Sequence, residues 1–150
     1  MSTVSLTLDE IFDLAKKTLL ANGCDDETAS ILSDLIRNAE RDGSVSHGLF
    51  RLPAYISGLK SGKINGKGKP EVKKISPSVI KVQGNNSLAP VVLSKSLPEI
   101  SKAAKENGVA VLAINNSHHM AAMWPETEKL AEDGLVAFAC TSYKPAVAIS

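Results

Sequence analysis

Two continuous apolar runs, VAVLAI at 109–114 and LVAFACT at 135–141, flank a helical stretch from Trp124 to Asp133. A strand that is apolar throughout has to bury both faces, and a parallel sheet covered on both sides provides that. Strand, helix, strand in this order predicts a βαβ unit. Gly108 and Gly134 stand just before the two runs, where a helix C-terminus favours glycine. The 150 residues are 43% apolar and 22% charged. That is enough chain to bury a core, and the mixture excludes a disordered protein.

The first 62 residues read as helices. Thr7 and Glu10 make a capping-box pattern, followed at helical spacing by Leu8, Ile11, Phe12, Ala15 and Leu19. Gly23 stops that helix. Asp25 or Asp26 caps a second, with Ala29, Leu32, Leu35, Ile36 and Ala39 as its apolar stripe. After a break at Asp42-Gly43-Ser44, a third stripe runs through Leu52, Tyr55, Ile56 and Leu59, with Pro53 tolerated in a first turn. Residues 60–70, KSGKINGKGKP, read as a linker or exposed loop. Lys60, Lys63, Lys67 and Lys69 could touch phosphate there, but no aromatic or Arg is interleaved, so a solvated loop is favoured. Val72–Ile75 and Val79–Val82 are short β segments joined across Ser76-Pro77-Ser78. Residues 90–106 are helical again, with Pro98 as an internal irregularity. The expected division is a helical segment over 1–65 and an α/β segment over 66–150.

Seventeen basic residues against sixteen acidic leave a net charge of +1. No general field is available to hold nucleic acid or an anionic membrane surface. No apolar run fits a membrane-spanning helix, and MSTVSLTLDE lacks the charged and apolar regions of a secretory leader. Cys24 and Cys140 form no CxxC pair, so neither a disulfide scaffold nor a zinc site is expected, and a cytoplasmic setting is.

Two segments can carry chemistry. Asn115-Asn116-Ser117-His118-His119-Met120-Ala121-Ala122 lies beyond the carboxyl end of the first apolar run, where open parallel sheets collect ligands. It leads into a helix whose N-terminus suits a phosphate, although no GxGxxG or GxxxxGK[ST] is present. Adjacent histidines are a poor metal chelate, and a capped loop with both histidines bonded to backbone is an equal alternative. The other segment runs from Asp42 to Arg51, with Ser46 as a possible N-cap. If a helix starts at His47, then His47 and Arg51 share one face. An imidazole beside a guanidinium suits a small carboxylic acid: the Arg clamps the carboxylate through two parallel hydrogen bonds, and the His exchanges a proton. An incidental His and a surface Arg at a helix start stay open as the other reading.

Together, SHGLFRLPAYISGLKSGKING and NNSHHMAAMWPETEKLAEDGLVAFACTS resemble two motifs of the malate/L-lactate dehydrogenase family, oxidoreductases with a non-Rossmann nicotinamide-binding fold. The WPE continuation is most similar to reductases of cyclic imino acids such as Δ1-piperideine-2-carboxylate and Δ1-pyrroline-2-carboxylate. The resemblance spans essentially the whole chain. It implies an α/β protein, with a helical N-terminal segment followed by the start of a mixed or parallel-sheet nucleotide-binding domain. It implies His47 as proton donor, Ser46 as its relay partner and Arg51 as the substrate carboxylate anchor. His118, His119, Met120, Ala121, Ala122 and Met123 would lie along NADPH or NADH. A small carboxylic acid is the implied substrate, a homodimer the implied assembly, and no metal is implied. Family members are longer, and their further part carries a substrate-binding Thr and an Asp that completes the Ser-His relay. The chain therefore reads as an N-terminal portion. A non-catalytic remnant keeping only an oligomerisation surface is the alternative.

Overall fold

The computed structural model describes residues 4–118 and 121–141. Helix α1 (Leu8–Ala21) opens on the expected capping box: Glu10 N–H donates to Thr7 Oγ1 at 3.2 Å, and Thr7 N–H donates to the Glu10 carboxylate at 2.8 Å. Ile11, Ala15 and Leu19 turn inward. Of the two candidate caps for α2 (Asp26–Arg41), Asp25 takes the role, accepting from Thr28 N–H at 2.9 Å. Ala29, Leu32, Ile36 and Ala39 are buried along α2. The Arg37 guanidinium lies 5.2 Å from the Phe12 ring centroid and joins the two helices. Helix α3 (Leu52–Lys60) carries Pro53 in its first turn and buries Leu52 and Tyr55.

The lysines of the 60–70 loop are exposed as expected, but its backbone is pinned. Ile64 is buried in the helical core. Asp25 N–H donates to Gly66 O at 3.1 Å, and Asn65 N–H to Asn86 O at 2.9 Å. One lone isoleucine among glycines and lysines makes no periodic pattern, so this anchor is invisible to hydrophobic periodicity.

Strands β1 (Glu71–Ser76) and β2 (Val79–Leu88) form an antiparallel hairpin with Val72 opposite Val82. Helix α4 (Ala89–Asn107) then crosses over the sheet to β3 (Val111–His118), which pairs in parallel with β2. The sheet order is β1-β2-β3. Pro98 does not split α4; it is exposed, so water can bond the carbonyl it leaves without a donor. One face of the sheet packs on α4 through Ile80, Val82, Val92 and Ala103. Strand β2 runs well beyond Val82, through an irregularity where the register shifts between Gln83 and Ser87. Asn85 and Asn86 have φ of +51° and +59° there, a conformation Asn tolerates better than most residues. Gly84 is needed at this point, because a Cβ would strike the backbone oxygen of Asn116 at 2.7 Å.

The parallel βαβ unit is thus β2–α4–β3, one step earlier than expected. Helix α5 (Trp124–Glu132) follows β3 and ends at Gly134, φ +79°. Residues 135–141, expected as the next parallel strand, form none. Val136 and Phe138 stand at 105% and 91% exposure. The outer face of the sheet is also open, with Val111 56% exposed, so among the described residues only one face is covered. Continuous apolarity announces burial on both faces without saying which strand supplies the pairing.

Candidate active site

Between α2 and α3 the chain makes two single 3-10 turns, Val45–His47 and Leu49–Arg51, joined at Gly48. No helix starts at His47, and Ser46 caps none. Pro53 sets the helix start at Leu52 instead. The shared helical face expected for His47 and Arg51 is therefore absent. The turns nevertheless gather the same side chains. Ser46 Oγ lies 3.0 Å and Ser44 Oγ 3.2 Å from His47 Nδ1, so that nitrogen is held by two hydroxyls. Arg51 Nε donates to the Ser46 carbonyl at 2.8 Å, which folds the guanidinium back over the first turn.

Glu40, near the end of α2, props this loop by accepting Leu49 N–H at 2.7 Å. The next two charges, at the end of α2 and just after it, are committed to each other. Arg41 Nε and Nη2 reach the two Asp42 carboxylate oxygens at 2.7 and 3.0 Å, and this hydrogen bonding holds the Asp42 carboxyl below its ordinary range.

The second segment meets the first at one point. Trp124, the first residue of α5, sets its ring centroid 6.0 Å from that of His47, with the planes 80° apart. His118 closes β3 opposite Leu88. His119 and Met120 lie outside the described residues. Ala122 is buried, and Ala121 and Met123 are half-buried. Ala121 and Ala122 line a cleft of about 240 Å³ between α2, α4 and α5, together with Leu35, Leu93, Leu97 and Glu126. His47 and Arg51 do not line it; the first turn of α5 stands between them and the cleft. Among the described residues no group of three or more His, Cys, Asp or Glu could hold a metal ion, and no helix is long and apolar enough to cross a membrane.

Ser44, Glu40 and Trp124 join the site without having been singled out for it in the sequence. Glu40 reads there as one more charged position on an amphipathic helix. Trp124 appears only as part of the WPE continuation, and its contact spans 77 residues of chain between positions 47 and 124.

A parallel strand pair with a polar segment at its carboxyl end makes this an α/β protein of the kind in which ligands collect beyond the strand ends. The family model for malate/L-lactate dehydrogenase matches residues 6–150. The chain belongs to that family. It is 38% identical over 135 residues to a Delta(1)-pyrroline-2-carboxylate/Delta(1)-piperideine-2-carboxylate reductase of Pseudomonas syringae pv. tomato, covering 90% of this chain and 39% of that protein. It is 33% identical over 140 residues to a malate/(S)-sulfolactate dehydrogenase of Methanothermus fervidus, covering 93% of this chain and 41% of that one. Its fold matches the crystal structure of a delta1-piperideine-2-carboxylate reductase from Pseudomonas syringae pvar. tomato with a TM-score of 0.84 and 37% identity, over 88% of this chain and 40% of that one. The chain thus spans about two fifths of the length of these relatives.

Proposed function

We propose that the protein is an NAD(P)H-dependent oxidoreductase that reduces the C=N of a cyclic 2-imino acid or the C=O of a 2-oxo acid. The observation that carries this reading is His47, held at Nδ1 by two serine hydroxyls and in edge-to-face contact with the residue that follows the 118–123 segment. The named activities of the relatives supply the substrate classes: cyclic imino acids for the reductases, a 2-hydroxy acid for the malate/sulfolactate enzyme. In this reading the helical segment 1–65 contributes the proton donor, and 66–150 begins the cofactor-binding part.

The residues fit the nicotinamide end of the cofactor. Ala121 and Ala122 carry only methyl side chains, so a planar ring can approach the backbone there, just beyond the carboxyl end of β3. When bound, NADPH or NADH supplies a hydride to the substrate carbon. His47 gives a proton from Nε2 to the imine nitrogen or carbonyl oxygen, and water returns that proton to the imidazole. The π bond thus becomes one C–H and one N–H or O–H bond. Ser46 and Ser44 keep Nδ1 fixed during the transfer. Arg51 pairs with the substrate carboxylate, and His118 with Met123 completes the wall. The reading carries a homodimer in the cytoplasm.

The test is oxidation of NADPH and NADH with Δ1-piperideine-2-carboxylate, pyruvate and oxaloacetate. His47→Ala is expected to lower kcat by roughly 10²–10⁴-fold, and Arg51→Ala mainly to raise KM. Unchanged turnover in His47→Ala overturns the proton-donor role.

A further inference from the structure

Trp124 is the single tryptophan of the chain, and it opens α5 directly after the turn that would lie along the dinucleotide. Its ring meets that of His47 at 6.0 Å and 80°, within the range in which aromatic pairs prefer an edge-to-face arrangement. Such a neighbour restrains a histidine ring. Its χ2 is a broad torsion without steep staggered wells, and the serines at 3.0 and 3.2 Å both act on Nδ1. Two hydrogen bonds at one ring atom fix where that atom sits, and the Trp124 edge contact adds a constraint on the tilt of the ring plane. Hydroxyl rotors adapt to such a tilt, so they do not oppose it.

We propose that Trp124 is a positioning residue for the His47 imidazole: it constrains the ring plane and ties that orientation to the 121–123 turn. The kinetic consequence rests on His47 being the proton donor; the ring contact does not. Pro125 and Glu126 line the cleft between α2, α4 and α5, and Trp124 directly precedes them. A ligand that shifts the first turn of α5 therefore shifts the imidazole with it. Proton transfer is sensitive to such placement, because small misplacements of a reacting group carry large rate penalties.

The contact is tested by nuclear magnetic resonance of the chain, with the His47 ring protons assigned by their loss in His47→Gln. In Trp124→Leu both His47 resonances are expected to move toward free-histidine positions, while those of His118 stay. Trp124→Phe keeps a smaller ring and is expected to move them less, in the same direction. His47 resonances unmoved in a Trp124→Leu chain that is folded by circular dichroism overturn the proposal. If the leucine variant fails to fold, Trp124→Phe decides alone, and unmoved resonances overturn it there. In imine reduction, Trp124→Leu is expected to lower kcat roughly tenfold with KM little changed, and Trp124→Phe to recover most of the rate. An unchanged kcat in Trp124→Leu beside an inactive His47→Ala overturns the positioning role and leaves the function standing. An active His47→Ala overturns the function, and the kinetic role of Trp124 with it.

Discussion

His47 owes its place to residues that are themselves held. The Glu40 carboxylate accepts Leu49 N–H at 2.7 Å, and Gly48 packs so tightly beneath it that a Cβ would overlap that carboxylate. An alanine at 48 must push Glu40 off Leu49 or push the turn off Glu40. Gly48→Ala is therefore expected to lower stability by about 1–2 kcal/mol, roughly the worth of the lost bond to a charged acceptor. Urea titration checks this, and Glu40→Gln, which keeps an acceptor, should cost less than Glu40→Ala. At this scale the sequence was partly legible. Ser46, His47 and Arg51 could be singled out because they are neighbours. Glu40 could not be, since its partner lies nine residues on, across a turn whose path depends on Gly48.

Helices were the most legible elements, because their ends are set by contacts within a few residues. Thr7 and Asp25 cap α1 and α2 as their side chains allow, and Gly108 and Gly134 take the left-handed conformation that ends α4 and α5. The 3-10 turns at 45–51 were not legible, because Ser46 looks like a cap and Pro53 shifts the helix start by several residues. Strand existence was readable in β1, β2 and β3, but strand partnership was not. The apolar run at 135–140 leaves Val136 and Phe138 exposed, and β3 is an edge of the sheet. An open edge beside an exposed apolar segment invites pairing between chains. Val136→Lys together with Phe138→Lys is expected to reduce self-association of the chain, read as a lower apparent mass by light scattering across a concentration series. Equal self-association in the double variant would contradict this.

Across the whole molecule one core draws Ile11, Leu19, Cys24, Leu32, Ile36, Tyr55, Ile64 and Leu88 together, and its burial governs behaviour in base. Desolvation, helped by the Asp25 carboxylate, pushes the Cys24 thiol from its ordinary 9.0 up to about 11. Desolvation, partly offset by Arg51, pushes the Tyr55 phenol from 10.0 up to about 12. Both groups stay protonated in the folded chain while the unfolded chain loses its protons. Their contribution is complete below pH 9 and is lost as pH rises through 11 and 12. Stability should fall steeply over that window, and Tyr55→Phe should make the fall shallower whatever its stability at neutral pH; denaturant titrations at successive pH values measure both. What the sequence alone determined were the local things: helix caps and stops, the hairpin, the polar loops and the two motifs that mark the family. These follow from spacings of a few residues, which a linear chain displays directly. Only the tertiary structure decided that β2 rather than 135–141 partners β3, that Ile64 pins the lysine-rich loop, and that Trp124 meets His47. Each of those is a meeting of residues distant in sequence, chosen by packing in three dimensions.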